Sequence, residues 1–358
     1  MNVLWFSIAI DANNPRQGFN LRWIRAMAEQ VESIHIIAMT VGEYDLPYNV
    51  HVHSVGKEKG FGEPRRAVRF YRLLMKILRD QEIDICFSHM IPLFSVMATP
   101  VLRLAGIPLI TWYAHPSITT TLKLAHLASD RMVTSVGSAY PYKHDKLVVV
   151  GQGIDIDLFA TDTIEREATP PVLLCAGRLS ASKGHATLIR AAGQLKAQRT
   201  NPFKVVIIGS PGLPQEIEYE RRLHQQVEGD GLQDTVEFHR SVSQDQLVQW
   251  YRSCTVHVNL TPTGFGDKVA WESMACGKVC IAANEGFRDT LGKYADTLLF
   301  PHGDHGRLAD LITYILDMPK QQRDLVGIYL REQVIEKHSL KRLMGKLVEL
   351  FGTEMKGG

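Results

Sequence analysis

The sequence predicts an α/β protein of two doubly wound, Rossmann-like domains with a cleft between them. Three observations predict this class. Short β-rich runs alternate with helical patterns, as in successive βαβ units. This alternation breaks once, at 155–171, where Thr, Asp, Glu and two prolines replace the apolar periodicity. The chain has 358 residues, 45% of them hydrophobic and 22% charged, which suffices for roughly two domains of typical size.

The first series of elements precedes the polar break. It starts with an apolar strand at 3–9 and a helical pattern at 20–30. The further strands predicted in this domain are 33–38, 84–87, 108–112, 131–135 and 146–150.

The second series follows the break. Its predicted strands are 172–176, 204–208, 236–238, 256–260, 279–282 and 297–300. Helical patterns lie between them, for example at 186–198 and 244–252. Two further helical segments, 320–336 and 340–351, end the sequence without a strand after them.

Composition excludes several classes of protein. A formal net charge of +2 argues against a general nucleic-acid binder. The five cysteines form no Cys-x-x-Cys pair, so neither a zinc site nor a disulfide framework is predicted. The longest uncharged stretch, 87–102, is shorter than the ~20 residues of a membrane-spanning helix, and Asp11 comes too early for a signal peptide. We therefore expect a cytoplasmic location.

Two common nucleotide-binding motifs are absent from the expected places. The first strand is followed by Ile-Asp-Ala-Asn-Asn-Pro at 10–15 instead of Gly-x-Gly-x-x-Gly, which argues against a dehydrogenase. The pair Lys183-Gly184 has the reverse order of a Walker A loop, and no Ser or Thr follows the lysine to hold magnesium.

A pair of cations stands on a loop framed by Gly177 and Gly184. Arg178 and Lys183 follow the strand at 172–176, and ligands of open α/β sheets bind beyond the carboxyl ends of strands. The planar fork of arginine and the point charge of lysine suit a diphosphate without a metal ion. The alternative is that both are solvated loop cations.

A second stretch of sequence favours the diphosphate-binding interpretation over the solvated one. Gly264 and Gly266 flank Phe265 and permit close backbone approach, and the start of the following helix offers N–H groups to an anion. Glu272 on that helix has two oxygens, which suit the two hydroxyls of a ribose. Taken alone, a glutamate at this place would more often be a helix-surface carboxylate.

These segments resemble, in the same order, those of the family 4 glycosyltransferases, retaining enzymes of the GT-B fold that use nucleotide sugars. The stretch 177–184 resembles the phosphate loop of the family, and 272–278 resembles its Glu-Ala-Met-Ala-Cys-Gly helix. Residues 150–155 with Phe159 resemble the Pro-Asn-Gly-Val-Asp segment before the linker, and 301–304 resembles a Pro-x-Gly-Asp turn. The likeness covers nearly the whole chain, is strong over 146–315 and is weak before about 105.

The resemblance implies the following site and domains. Arg178 and Lys183 would neutralise the diphosphate and stabilise the charge that develops as it leaves, Glu272 would hold the ribose, and His115 would lie near the sugar. The remaining donor-binding residues that it implies are Gly18, Gly177, Gly264, Phe265, Gly266, Asp267, Lys268 and Asp289. The predicted divisions are an acceptor domain at 1–160, a donor domain at 161–325, and helices at 326–358 that pack back on the first domain.

The sequence departs from the family pattern at several positions. Gly264 stands where the family has the first of two glutamates, so Asp267 and Lys268 in the same loop are candidates for part of its sugar contact. Asp289 replaces a glutamate and is either a donor contact or a helix N-cap. In the loop 16–19 only Gly18 remains of a Gly-Gly pair. For His89, also a family histidine, a structural role is preferred.

The resemblance implies metal-independent chemistry without a cofactor. Retention of configuration would follow from front-face attack, with the leaving phosphate as the base. Asp155-Ile156-Asp157 spells the metal-binding Asp-x-Asp of another glycosyltransferase fold, but it falls in the turn before the linker and is interpreted as structural.

A basic stripe is predicted on one helix of the first domain. Its cations recur at spacings of four, three, four and three, with Ala67, Tyr71, Leu74, Met75 and Leu78 predicted on the other side. Its members are Arg65, Arg69, Arg72, Lys76 and Arg79. Such a stripe is compatible with an anionic membrane surface, at ~1 kcal/mol for each cation, and equally with a solvated helix face.

Together these observations predict a retaining glycosyltransferase. Its donor would be a UDP- or GDP-sugar, and its acceptor a glycan, a lipid-linked molecule or a small molecule in cell-envelope or polysaccharide biosynthesis. Two alternatives stay open: a nucleotide-sugar epimerase or hydrolase of the same fold, and a catalytically weak partner subunit. The second alternative follows from the missing glutamate at position 264.

Overall fold

The structure is a computed structural model that describes residues 1–14, 17–161 and 167–356. The chain divides into two compact units. The first consists of Met1–Gly153 together with the segment from Leu340 onward, and the second is Ile154–Ser339.

The first unit contains a parallel sheet of seven strands in its described residues. The strands are β1 (Asn2–Ile10), β2 (Ser33–Val41), β3 (Val50–Ser54), β4 (Ile85–His89), β5 (Leu109–Trp112), β6 (Arg131–Thr134) and β7 (Leu147–Val149). Its helices before the second unit are α1 (Asn20–Ala28), α2 (Glu63–Asp80), α3 (Pro92–Leu104) and α4 (Thr120–Ala128). The strand order is β3-β2-β1-β4-β5-β6-β7, so the winding direction changes between β1 and β4.

The second unit contains a parallel sheet of five strands, in the order β10-β9-β8-β11-β12, within the part of the chain that is described. The strands are β8 (Val172–Ala176), β9 (Lys204–Ile208), β10 (Val236–His239), β11 (Val256–Asn259) and β12 (Val279–Ala282). The helices are α5 (His185–Gln198), α6 (Pro214–Gly229), α7 (Gln244–Ser253), α8 (Lys268–Ala275), α9 (Arg288–Leu291), α10 (Ala295–Leu298), α11 (His305–Asp317) and α12 (Lys320–His338). The last helix, α13 (Leu340–Lys356), belongs to the first unit.

Alternating residues of β1 show how the first sheet is buried on both faces. Val3 and Trp5 pack in one cluster with apolar residues of α1 and α13. Leu4 and Phe6 pack in another with residues of α2 and α3. Parallel sheets in doubly wound folds are covered in this way, which explains the nearly continuous apolar run of β1. The predicted α/β class with two parallel sheets is therefore confirmed.

Two predicted strand assignments differ from the structure. The segment 297–300 is not a strand: α10 ends there, and only Leu299 forms an isolated bridge, to Ala282. Conversely, β3 was not predicted. Its Val-His-Val-His-Ser sequence is partly exposed at the sheet edge, so it lacks the strong apolar signal of the inner strands.

The boundary between the two units differs from the predicted one, which was at residue 160. The boundary falls between Gly153 and Ile154, because the backbone N–H of Ile154 donates to the carbonyl of His338 at 2.7 Å. Helix α12 belongs to the second unit. It packs on α8 so closely that a β-carbon at Gly327 would lie 1.8 Å from the carbonyl oxygen of Gly277. Only α13 joins the first unit.

The basic helix α2 has a different buried face from the one predicted. Phe70, Leu74 and Ile77 are buried, whereas Tyr71 and Met75 are 40% and 56% exposed. The buried residues are four and three positions apart and so share one face of the helix. Tyr71 and Met75 lie on another face, which is exposed to solvent. None of the helices in the described ranges is long and apolar enough to cross a membrane.

Candidate functional site

The loop after β8 is held by close backbone packing. Gly177 has φ 141°, and its N–H donates to the carbonyl of Ile208 at 2.9 Å. A β-carbon at Gly209 would lie 1.9 Å from the carbonyl oxygen of Gly177, so position 209 accepts only glycine without a shift of the loop. Gly209 was not predicted, although a glycine directly after the strand at 204–208 was a visible signal.

Gly184 ends the same loop. It has φ 65° after the short 3₁₀ turn Ala181–Lys183 and precedes α5. A β-carbon there would lie 3.2 Å from Cβ of Leu260 and 3.3 Å from its carbonyl oxygen. This left-handed glycine sets the position of Lys183 beside the carboxyl end of β11.

Lys183 makes a largely shielded ion pair with Asp267, with side-chain exposures of 19% and 10%. Its Nζ lies 2.6 Å from Oδ2 of Asp267 and 3.4 Å from the hydroxyl of Thr261. The same carboxylate oxygen accepts hydrogen bonds from Thr261 and, at 2.8 Å, from Nδ2 of Asn259. Burial raises the pKa of Asp267, but the charge of Lys183 and these hydrogen bonds outweigh it and hold the pKa below its usual value. Asp267 is therefore an ionised partner of Lys183.

Arg178 pairs with a carboxylate of α6 that was not predicted. Its Nε lies 3.3 Å from Oε1 of the buried Glu216. The other oxygen of Glu216 accepts from the backbone N–H of Gly212 at 2.7 Å. Glu216 thus holds the arginine in place, while the Arg178 side chain remains 36% exposed and accessible to a ligand.

Glu272 lies in the interior of α8 and is only 4% exposed. Its Oε1 accepts from Nε2 of Gln244 at 3.3 Å, and its Oε2 accepts from the hydroxyl of Tyr251 at 3.3 Å. Burial and then the neighbouring Glu272 charge raise the pKa of Tyr251, so this phenol stays a hydrogen-bond donor. The helix-surface alternative for Glu272 is wrong.

The loop before α8 carries the two predicted glycines. Gly264 has φ 105°, and the carbonyl of Phe265 accepts from Nδ2 of the buried Asn284 at 2.8 Å. Gly266 and Asp267 follow, and Lys268 begins α8. The loop is therefore anchored at two points, at Phe265 by Asn284 and at Asp267 by Lys183 and Asn259.

Asp289 pairs with a cation of α12. Its side chain is 81% exposed and pairs with Lys337 at 3.0 Å. It is not the N-cap of α9 either, because Phe287 occupies that position.

Three predicted residues lie in the first unit. Gly18 follows β1, and a β-carbon there would lie 3.0 Å from the carbonyl oxygens of Ala12 and Asn14. His115 is exposed after β5, and its Nδ1 accepts from the N–H of Ser117 at 3.2 Å. His89 is buried among aromatic rings, the nearest being Trp23 at 5.1 Å. Arg16, in the predicted loop 16–19, lies outside the described residues.

No group of three or more His, Cys, Asp or Glu side chains in the described ranges is arranged to hold a metal ion. The Asp155 carboxylate accepts from the backbone N–H groups of Asp157 and Leu158, at 3.3 and 3.1 Å. This local turn fits the structural interpretation of Asp155-Ile156-Asp157.

Acid is expected to destabilise the second unit through two fully buried histidines. Burial and then the charge of Lys183 lower the pKa of His185 to about 3, and burial lowers the pKa of His257 to about 4. At pH values between these pKa values and the ordinary histidine pKa of 6.5, the unfolded chain binds more protons than the folded protein. The free energy of unfolding therefore decreases as the pH falls. Each histidine accounts for ~2 kcal/mol between pH 6.5 and 5. Thermal unfolding at pH 7, 6 and 5 measures this loss.

The control for this prediction is His185→Leu. Neither ring nitrogen of His185 has a hydrogen-bond partner among the described residues, so leucine retains the apolar packing. The variant should lose less stability than the parent on acidification, whereas parallel pH curves would contradict the role of His185.

The two sheets and the loop beyond β8 define a class of protein. The fold is that of the GT-B glycosyltransferases. Sucrose-phosphate synthase from Thermosynechococcus elongatus superposes with a TM-score of 0.79 and 17% identity over 100% of both chains. The HepE protein of Anabaena, solved with UDP-glucose, gives a TM-score of 0.77 and 17% identity over 99% of this chain and all of its own.

Sequence comparison shows which known proteins part of the chain is similar to. Residues 161–328 match the family model described as glycosyl transferases group 1. A D-inositol 3-phosphate glycosyltransferase from Acidothermus cellulolyticus is 31% identical over 219 residues, which are 56% of this chain and 48% of the relative. The chain thus spans about half the length of the curated relatives it matches. Residues 161–328 are therefore similar to the group 1 glycosyl transferases, and the resemblance predicted from the sequence is confirmed.

Proposed function

We propose that the protein is a retaining glycosyltransferase that binds a nucleoside-diphosphate sugar on the second unit. The observation that carries this proposal is the placement of Arg178 and Lys183 on one loop, each held by a buried carboxylate. Two fixed cations beyond the end of a parallel strand suit a diphosphate, and preorganised charge of this kind stabilises a leaving phosphate.

Glu272 is proposed to hold the ribose. Its two oxygens already accept hydrogen bonds from Gln244 and Tyr251, so the carboxylate is oriented before a ligand arrives. Ribose hydroxyls would add to or replace these long, 3.3 Å bonds. Among donors we favour UDP-sugars over GDP-sugars, since the structural neighbour HepE was solved with UDP-glucose.

The reaction is proposed to need neither a metal ion nor a cofactor. Lys183 and Arg178 would supply the positive charge that a metal ion gives elsewhere, and the leaving phosphate would take the proton of the acceptor during front-face attack. His115, beyond β5, is proposed to position the sugar. Asp267 is proposed to act on the donor through Lys183 and not as a reader of the sugar.

The acceptor is proposed to be a small phosphorylated polyol. The relatives that match the chain are named for D-inositol 3-phosphate, which favours this class over a glycan or a lipid-linked molecule.

The test is binding followed by product analysis. We expect UDP and a UDP-sugar to raise the melting temperature of the full chain, with uridine giving a smaller shift. Arg178→Gln should reduce the UDP shift and leave the uridine shift unchanged. Absence of stabilisation by every nucleotide in a panel would reject the proposal.

Product analysis without an acceptor separates the alternatives. An epimerase would form a new nucleotide sugar. A hydrolase would release free sugar as fast without an acceptor as with one. A partner subunit would bind the donor without turnover, whether or not an acceptor is added.

A second proposal concerns the exposed face of α2, which we infer to contact anionic lipid at the inner face of the cell membrane. Tyr71 and Met75 lie on this face among the exposed cations Arg65, Arg72, Lys76 and Arg79. Apolar side chains between cations suit the boundary of an anionic bilayer.

Liposome sedimentation tests this inference. Binding should require anionic vesicles and should weaken in the variant Tyr71→Ser/Met75→Ser more than in Leu104→Ser, an exposed site on α3. Equal binding to neutral and anionic vesicles would contradict it.

A further inference from the structure

The first unit contains a cavity of about 350 Å³ outside the residues discussed so far as the donor site. It lies between the ends of β2 and β3 and one side of α2. Its polar lining includes His53, Glu58, Lys59 and Arg69, and its apolar lining includes Val41 and Leu73. Cavities of this size hold small organic ligands.

The cavity lies at the carboxyl edge of the first sheet. Val41 is the last residue of β2, and His53 pairs with Ile37 near the end of β3. The chain leaves β2 beside the end of β1, since a β-carbon at Gly42 would lie 2.4 Å from the carboxylate carbon of Asp11. Ligands of open α/β sheets bind at this edge.

Local hydrogen bonds preorganise the polar wall. The Nε of Arg69 donates to the carbonyl of Ser54 at 2.7 Å, which fixes the guanidinium and leaves its terminal N–H groups for other acceptors. The hydroxyl of Ser54 donates to Oε1 of Glu58 at 2.6 Å, and the N–H of Val41 approaches Oε2 at 3.4 Å. Glu58 is thus tied to strand ends and not to either cation of the cavity.

The charges that line the cavity favour the binding of an anion. Neither Arg69 nor Lys59 has a carboxylate within ion-pair distance in the described part of the chain. Burial, and then the neighbouring His51, Lys76 and Arg69, lower the pKa of His53, so its imidazole is the neutral member of this polar wall. Two cations and an imidazole beside an apolar wall suit a ligand with a doubly charged end and a carbon body.

We propose that this cavity binds a small phosphate monoester, with Arg69 and Lys59 as the charge partners of the phosphate and His53 beside them. Its lining shares no residue with the diphosphate loop, and binding there is testable without the proposed transfer reaction. Val41 and Leu73 would contact the carbon part of the ligand.

Titration of the full chain with glycerol 3-phosphate, followed by calorimetry and by the imidazole NMR signals of His53, tests the proposal. We expect saturable binding and a rise in the pKa of His53, because the bound anion offsets the surrounding cations. Arg69→Gln and, independently, Lys59→Gln should weaken binding about tenfold or more. Arg103→Gln, an exposed cation on α3, should leave it unchanged.

Several results would overturn the assignment. They are absence of binding, an equal loss in Arg103→Gln, and a loss in Arg178→Gln that places the ligand on the diphosphate loop. Inorganic phosphate that binds as tightly as glycerol 3-phosphate would exclude a monoester site. Vesicles with phosphatidic acid that shift His53 when glycerol 3-phosphate does not would assign the site to a lipid headgroup.

Discussion

Replacing Lys183 with alanine is expected to remove most of the affinity for a nucleoside diphosphate and to destabilise the second unit. The Nζ of Lys183 lies 2.6 Å from Asp267, whose side chain is only 10% exposed. Without the lysine a buried carboxylate keeps its charge and loses its partner, which costs about 3 kcal/mol. The phosphate loop also loses one of its two cations, so UDP binding should fall far more than uridine binding.

The double variant Lys183→Ala/Asp267→Asn separates the two effects. It removes the buried charge that the single variant leaves unpaired, and Asn259 and Thr261 still reach the new amide. We expect the melting temperature to recover while UDP affinity stays low. If UDP and uridine lose affinity equally in the single variant, Lys183 has no phosphate role. If the double variant is no more stable than the single one, the ion pair is not the cause of the instability.

Replacing Glu272 with glutamine is expected to weaken nucleoside binding specifically. The carboxylate is 4% exposed, and hydrogen bonds to a charged group contribute about 1.5–3 kcal/mol. UDP and uridine should both bind about tenfold to a hundredfold more weakly, while pyrophosphate binding is unchanged. Calorimetric titration with the three ligands measures these affinities.

A substrate analogue gives a matched control for Glu272. The parent protein should bind 2′-deoxy-UDP more weakly than UDP. In Glu272→Gln the difference between these two affinities should be smaller, because the ribose 2′-hydroxyl and the Glu272 carboxylate are expected to contact each other. Tyr251→Phe removes only the hydroxyl that donates to Glu272 at 3.3 Å, so its effect should be smaller. The same preference for UDP in parent and variant would contradict a ribose contact.

Local chemistry explains why the sequence predicts so much of the donor site. The strand at 172–176 has the bounds of β8, and the loop glycines Gly177 and Gly184 both have positive φ. These features depend on neighbouring residues, since an apolar run makes a buried strand and a glycine accepts a left-handed turn. The cations Arg178 and Lys183 therefore fall on a loop beyond a strand end, as predicted.

The partners of these cations depend on contacts between distant segments. Asp267 was predicted to take over part of a sugar contact, but it reaches across to Lys183 from the start of α8. Glu216 belongs to α6, where nothing in its local pattern distinguishes it from an exposed helix carboxylate. Only the tertiary packing shows that it is buried against Arg178.

The sequence by itself determined the α/β class, most of the strands and helices, the cationic loop and the family resemblance. These follow from short-range periodicity, glycine placement and residue type. The tertiary structure decided that α12 stays with the second unit, that Tyr71 and Met75 face solvent on α2, and that Asp267 pairs with Lys183. It also decided that Asp289 pairs with Lys337 and that a cationic cavity exists beside β3. The physical reason is that burial and charge pairing depend on which distant segments meet, and a one-dimensional pattern does not contain that information.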